Sequence, residues 1–220
     1  MASSWRDLAV ARSLDPARAR AEKRVQRFLD AALELMLESP DKEFTVQEVV
    51  ERSGQSLRSF YQYFAGKYEL LLALFEEAVR ATAADLEAAV AAENDPVEKL
   101  HRFATEYYKI CHPGARSAKA RKAAPTPVLA EFGQELLTAH PKEASHAFVP
   151  LVELFEQLLA GAAAAGGLRK GLDHRHIAGI VLQAIMFHAF AATISNTSLR
   201  SDVDAAAQEL WDLILLGIAL

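Results

Sequence analysis

Between Gly54 and Tyr68 the chain carries Arg58, Ser59, Tyr61, Gln62, Tyr63 and Lys67, and no acid at all. A guanidinium fork, a hydroxyl, an amide, two phenols and an ammonium are the groups that reach phosphate oxygens and base edges. A carboxylate facing phosphates would be repelled, so the absence of acids bears directly on what this stretch can touch. An ordinary solvated helix face carries Glu and Lys pairs instead. Lys67 falls where a long helix begins, a place where the macrodipole prefers an acid. A cation there makes sense if a phosphate docks at that helix end.

These side chains need rigid elements to aim them, and the flanking residues supply the signals. Thr45-Val46-Gln47-Glu48 is a capping box, with Phe44 and Val49 at the positions of a hydrophobic staple. The short helix it opens turns Val46, Val49 and Val50 inward and stops at Ser53-Gly54, where Gly54 can take the left-handed turn conformation. Ser56 caps a third helix reaching about Phe64, whose core pair is Phe60 and Phe64. Two short helices joined by a tight turn are the pattern of a helix-turn-helix. A preceding helix is predicted from position 19 to 37, with Val25, Phe28, Leu29, Ala32, Leu33 and Met36 on one stripe. Ser39-Pro40-Asp41 ends it. A fourth helix is predicted from about 66 to 92, roughly 40 Å long.

The run Thr45…Val49…Ser53-Gly54-Gln55-Ser56-Leu57-Arg58-Ser59-Phe60-Tyr61-Gln62-Tyr63-Phe64-Ala65-Gly66-Lys67-Tyr68-Glu69-Leu70 resembles the TetR family of transcriptional repressors. The resemblance covers about the first third of the chain. It implies an all-α homodimer whose paired N-terminal heads bind a palindromic operator, and a C-terminal domain that binds a small molecule and releases the DNA. By position, it implies that Thr45 and Gln47 touch phosphate and a base, that Leu57, Arg58 and Tyr61 lie nearest the base edges, and that Ser59, Tyr63 and Lys67 hold phosphates. With Gln55, Ser56 and Gln62 these make up the candidate DNA-binding set. Gln55 stands where the family often has an aliphatic residue and Ser59 where it usually has threonine, which bears on the operator sequence.

Three regions are expected: a flexible basic arm over 1–18, the helix-turn-helix domain over 19–66, and a ligand-binding and dimerisation domain over 67–220. Up to Arg27 there are seven basic residues against three acids, although the whole chain of 220 residues has a net charge of −5. A basic end on an acidic body fits a docking end, and fits a solvated leader equally well. Asp95 with Pro96 opens a fifth helix ending near His112. Further helices are predicted over 128–139, 142–165, 174–195 and 203–220. The last two are too apolar for surface helices; they read as buried by a partner copy, which is also where the family dimerises. A basic loop over 116–122 could meet an anionic ligand group or simply be solvated. Phe103, Tyr107, Tyr108, Met186 and Phe187 are the candidate lining of an effector pocket, with core packing as the alternative for the aromatic residues.

Chemistry beyond binding is not apparent in the residues. A single cysteine, Cys111, excludes a disulfide framework and points to a reducing, cytoplasmic setting. His174 and His176 lie on different helix faces, so they make a poor metal pair. There is no nucleophile elbow, zinc-ligand run or dinucleotide fingerprint. The expectation is a non-enzymatic protein with no cofactor, no metal and no membrane span, whose partners are duplex DNA, a largely apolar effector and a second copy of itself. The competing reading is a soluble helical carrier for an apolar molecule that does not bind DNA.

Overall fold

The structure, a computed structural model, describes residues 5–39, 42–112, 129–194 and 203–218. Ten α-helices and no strand lie among them, as the all-α reading expects: α1 (Trp5–Glu38), α2 (Val46–Ser53), α3 (Leu57–Tyr63), α4 (Lys67–Val90), α5 (Pro96–Cys111), α6 (Ala130–Ala139), α7 (Pro141–Ala147), α8 (Val149–Ala164), α9 (His174–Ile194) and α10 (Val203–Ile218). The chain divides into two compact units, Met1–Leu74 and Phe75–Leu220. α4 is continuous across that boundary. The basic loop 116–122 lies outside the described residues.

The first unit is built on three aromatic rings. Phe28 and Phe60 are fully buried and Phe64 nearly so. Phe28 meets Phe60 edge-on at 5.4 Å and Phe64 at 6.2 Å, and Phe60 lies 5.4 Å from Phe64. Burying each ring contributes about 1.5–3 kcal/mol, and the edge-to-face pairs add about 0.5–1.5 kcal/mol each. Val49 and Val50 of α2 close the same core. α1 begins at Trp5, well before position 19, and carries Pro16 within it. The flexible arm expected over 1–18 is therefore helical from Trp5, and the sequence there, with no firm apolar period, gave no sign of it.

In the second unit α5 is central, packed by α8, α9 and α10. Its N-cap is as expected: the Asp95 carboxylate accepts from the Val97 and Glu98 amides at 2.8 and 3.0 Å, and Pro96 occupies the first turn. Phe103 lies 4.8 Å from Phe155 of α8. Lys109 pairs with Asp204 of α10 at 2.7 Å, and His101 bonds to Gln208 at 2.9 Å. Gly167, just past α8, sits so close to α5 that an added Cβ would fall 2.6 Å from Val97.

One predicted helix is two. The segment 142–165 breaks at Phe148 into α7 and α8, which meet at 57°. Pro150 explains the break, since it offers no amide hydrogen and its ring clashes with the carbonyl four residues earlier. Among the described residues no single helix is long and apolar enough to cross a membrane.

Candidate nucleic-acid interface

The turn and caps that aim α3 form as their residues dictate. Thr45 Oγ1 accepts from the Glu48 amide at 3.2 Å, while the Glu48 carboxylate accepts from the Thr45 amide at 2.7 Å and from its hydroxyl at 3.0 Å. Those bonds hold the Glu48 carboxyl below its ordinary range, with Lys42 at 3.2 Å adding to the effect. Gly54 adopts φ +65°, which lets its amide return to the carbonyls of Glu51 and Val50. Ser56 caps α3 by accepting from the Ser59 amide at 3.1 Å. Arg52 grips Glu38 of α1 with both ends of its guanidinium, at 2.9 and 2.8 Å.

With Phe60 turned inward, α3 presents Leu57, Arg58, Tyr61 and Gln62 to solvent. Leu57 is 43% exposed and Tyr61 57% exposed. Tyr63 is half-buried. The Ser59 hydroxyl is buried without a hydrogen-bond partner, so it is less accessible than the reading of α3 as an open polar face supposed. Gln47 is exposed and donates to Glu51 at 2.9 Å. Lys67 does not point freely outward. Its ammonium pairs with Glu43 at 2.9 Å and lies 4.8 Å from the centre of the Phe44 ring. Glu43 is 93% exposed at its side chain.

Two residues of α1 join this surface. Arg24 and Arg27 line a cleft of about 360 Å³ together with Gln55, Arg58, Ser59 and Gln62. Gln55 Nε2 donates to the Arg24 carbonyl at 2.8 Å, which holds the turn before α3 against α1. Motif reading singles out neither arginine. Their three-residue spacing and the shortage of neighbouring acids were the available signal.

The second unit contains a separate cavity of about 300 Å³. Its lining is mostly apolar, with Tyr107, Phe148, Val152, Leu182 and Met186, and has polar points at Ser145, Gln183 and Arg175. Arg175 lies 3.4 Å from Glu156. Burial pushes the Tyr107 phenol well above its ordinary value, and the neighbouring Cys111 adds to this, so Tyr107 stays a neutral donor. Of the five pocket candidates the cavity takes Tyr107 and Met186. Phe103 and Tyr108 are buried in packing elsewhere, and Phe187 is 60% exposed. Periodicity could place Met186 and Phe187 on one helix, but not say which faced inward. No group of three or more His, Cys, Asp or Glu residues is placed to hold a metal among the described residues.

Residues 28–74, spanning the end of α1 through the first turns of α4, match the model for bacterial regulatory proteins of the tetR family. The head is a tetR-family head. No curated protein matches the chain in sequence. Among solved structures, the tetR-type fold extends over most of the chain. FadR of Bacillus subtilis, a transcriptional regulator solved in complex with stearoyl-CoA, is 18% identical, covers 88% of this chain and 98% of its own, and superposes with a TM-score of 0.65. SmeT of Stenotrophomonas maltophilia, the repressor of the SmeDEF multidrug efflux pump, is 19% identical over 89% of this chain and 90% of its own, with a TM-score of 0.62. A TetR-family transcriptional regulator of Pectobacterium atrosepticum is 17% identical over 92% and 97%, with a TM-score of 0.68. At these identities the likeness is one of fold. In the tetR-family head described here, the residues that build the motif (Thr45, Glu48, Gly54, Ser56, Phe60 and Phe64) are accounted for by their bonds and burial, and Arg58, Tyr61 and Gln62 remain on the surface.

Proposed function

We propose that the chain is a transcriptional repressor that binds a palindromic operator as a homodimer and is released by a small, largely apolar effector. The observation that carries the reading is the acid-free outer face of α3, where Leu57, Arg58, Tyr61 and Gln62 are exposed on a capped helix-turn-helix. Placed in a major groove, Arg58 can reach guanine acceptors or phosphate, Gln62 can bond a base edge, and Leu57 and Tyr61 can pack on thymine methyl groups. Thr45, Gln47, Tyr63 and Lys67 flank this face as phosphate contacts. Lys67 would exchange Glu43 for a phosphate oxygen.

The cavity of the second unit is the effector site in this reading. Its apolar lining suits a hydrocarbon-bearing molecule, and the regulator FadR of Bacillus subtilis, similar in fold, was solved with stearoyl-CoA. An effector that binds the DNA-incompetent arrangement better shifts the population away from the operator. α4, running unbroken from one unit into the other, is the element through which the shift would travel. Dimerisation is assigned to α9 and α10. These leave Ile180, Phe187, Leu213 and Leu216 exposed, the last at 86%, as expected of a face meant for a second copy. The functional division is then a basic end over 1–18, which from Trp5 onward belongs to α1, the DNA-binding domain over 19–66 and the effector and dimer domain over 67–220, with no catalytic role and a cytoplasmic setting.

The test is selection of duplexes from a random pool, followed by binding of the selected duplex by Arg58→Ala and Tyr61→Ala. Retention of one sequence family by the wild type, and its loss in both variants at unchanged circular dichroism, is the expected result. Binding of apolar compounds with no sequence-selective DNA retention would overturn the proposal in favour of a carrier.

A further inference from the structure

Among the described residues four arginines have a glutamate partner (Arg18 with Glu22, Arg52 with Glu38, Arg102 with Glu106 and Arg175 with Glu156), whereas others, Arg20, Arg80 and Arg169 included, stand without one. Arg24, Arg27 and Arg58 lie in ion-pair contact with no carboxylate among the described residues, and all three line one cleft between α1 and α3. Three like charges around about 360 Å³ repel one another, and the fold draws no packing from them, since Arg24, Arg27 and Arg58 are exposed. No acidic residue lines the cleft, whose other walls are Gly54, Gln55, Ser56, Ser59 and Gln62. An anion entering the cleft would relieve the repulsion and give the three guanidinium groups a partner.

We propose that α1 is part of the DNA interface, with Arg24 and Arg27 holding phosphodiester oxygens of the duplex whose bases α3 faces. The inference rests on the DNA-binding reading above and adds to it two residues outside the helix-turn-helix. Their placement is built into the head: the Gln55 amide, bonded to the Arg24 carbonyl at 2.8 Å, clamps this turn of α1 to the residue that precedes the α3 cap. Arg20 continues the stripe one turn earlier, at the four- and seven-residue spacing that shares a helix face. A row of cations along α1 follows a phosphate backbone, whereas Arg58 on α3 is aimed at base edges. The two sets therefore do different work, with contacts along α1 setting affinity and register and contacts from α3 setting sequence.

The experiment is a fluorescence-anisotropy titration of the full chain over a range of salt, using the selected operator and a random duplex of equal length. The proteins are wild type, R24Q/R27Q, R24K/R27K and, as a charge control on the exposed face of α4, R80Q. R24Q/R27Q should bind both duplexes more weakly by a common factor of about ten or more. The slope of log K against log salt should become shallower by about two, near 0.9 for each phosphate that is no longer neutralised. R24K/R27K should keep the wild-type slope and R80Q should match wild type throughout. An R24Q/R27Q slope and affinity equal to wild type would overturn the inference while leaving the operator reading intact. Weakened operator binding with random-duplex binding unchanged would also overturn it, because the two arginines would then be reading bases. A wild type that selects no sequence and binds neither duplex would remove the operator reading, and this inference with it.

Discussion

Gln55 Nε2 donates a 2.8 Å hydrogen bond to the main-chain carbonyl of Arg24, 31 residues earlier in the chain. That single bond gives Gln55, a member of the candidate DNA-binding set, a bracing role within the head. Gln55→Ala should lower stability by about 1 kcal/mol, a fall of several degrees in Tm, and weaken operator binding along with it. Equilibrium urea unfolding and anisotropy on the same preparation check this. An unchanged Tm with lower affinity would return Gln55 to direct contact with the duplex.

Gly54 can be tested as the pivot between α2 and α3. At φ +65° a Cβ meets no neighbour, so any penalty on substitution comes from the backbone alone. Gly54→Ala should cost about 1–2 kcal/mol and Gly54→Asn distinctly less, because asparagine tolerates the left-handed region. Thermal melting of the two variants side by side reads the difference.

The capping box offers a companion test at the other end of α2. Removing the Thr45 hydroxyl in Thr45→Ala withdraws the acceptor of the Glu48 amide and should cost about 1 kcal/mol. Thr45→Ser should restore most of it. If both variants melt like wild type but bind DNA poorly, Thr45 acts at the duplex and the cap is incidental.

Filling the cavity should separate effector response from DNA binding. Gly179 lines it, and a Cβ built there has open space around it. Gly179→Leu should therefore fold with Tm equal to or above wild type, since leucine is also the better helix former. It should bind the operator normally and resist release by compounds that dissociate the wild type. Normal release would place the effector elsewhere.

His112 provides a pH signature. Burial, and the nearby His188, hold its pKa below the ordinary value of 6.5. The unfolded chain therefore takes up the proton first as pH falls. The stability present above pH 6.5 should decline below that value and level off once the folded form is protonated too. Urea midpoints measured on either side of pH 6.5 should diverge less in His112→Gln than in wild type.

What was legible in the chain is what acts within about four residues. The Thr45–Glu48 box, the Gly54 turn, the Ser56 cap and the Asp95–Pro96 start each depend on one residue bonding a backbone group a few positions away, and each forms as its residues predict. The Phe60 and Phe64 pair was legible for the same reason, since one helical turn separates them. Pro150 is visible in the chain too, but apolar periodicity runs straight through it and predicts one helix where there are two. The tertiary structure alone decided which partners distant side chains would meet. Lys67 meets Glu43, Gln55 reaches the Arg24 carbonyl, and Arg27 comes to lie with Arg58 in one cleft. It also turned Met186 into the cavity and its neighbour Phe187 out of it. Those outcomes depend on how helices cross, and a crossing is set by the summed packing of whole faces, which no short stretch of sequence specifies.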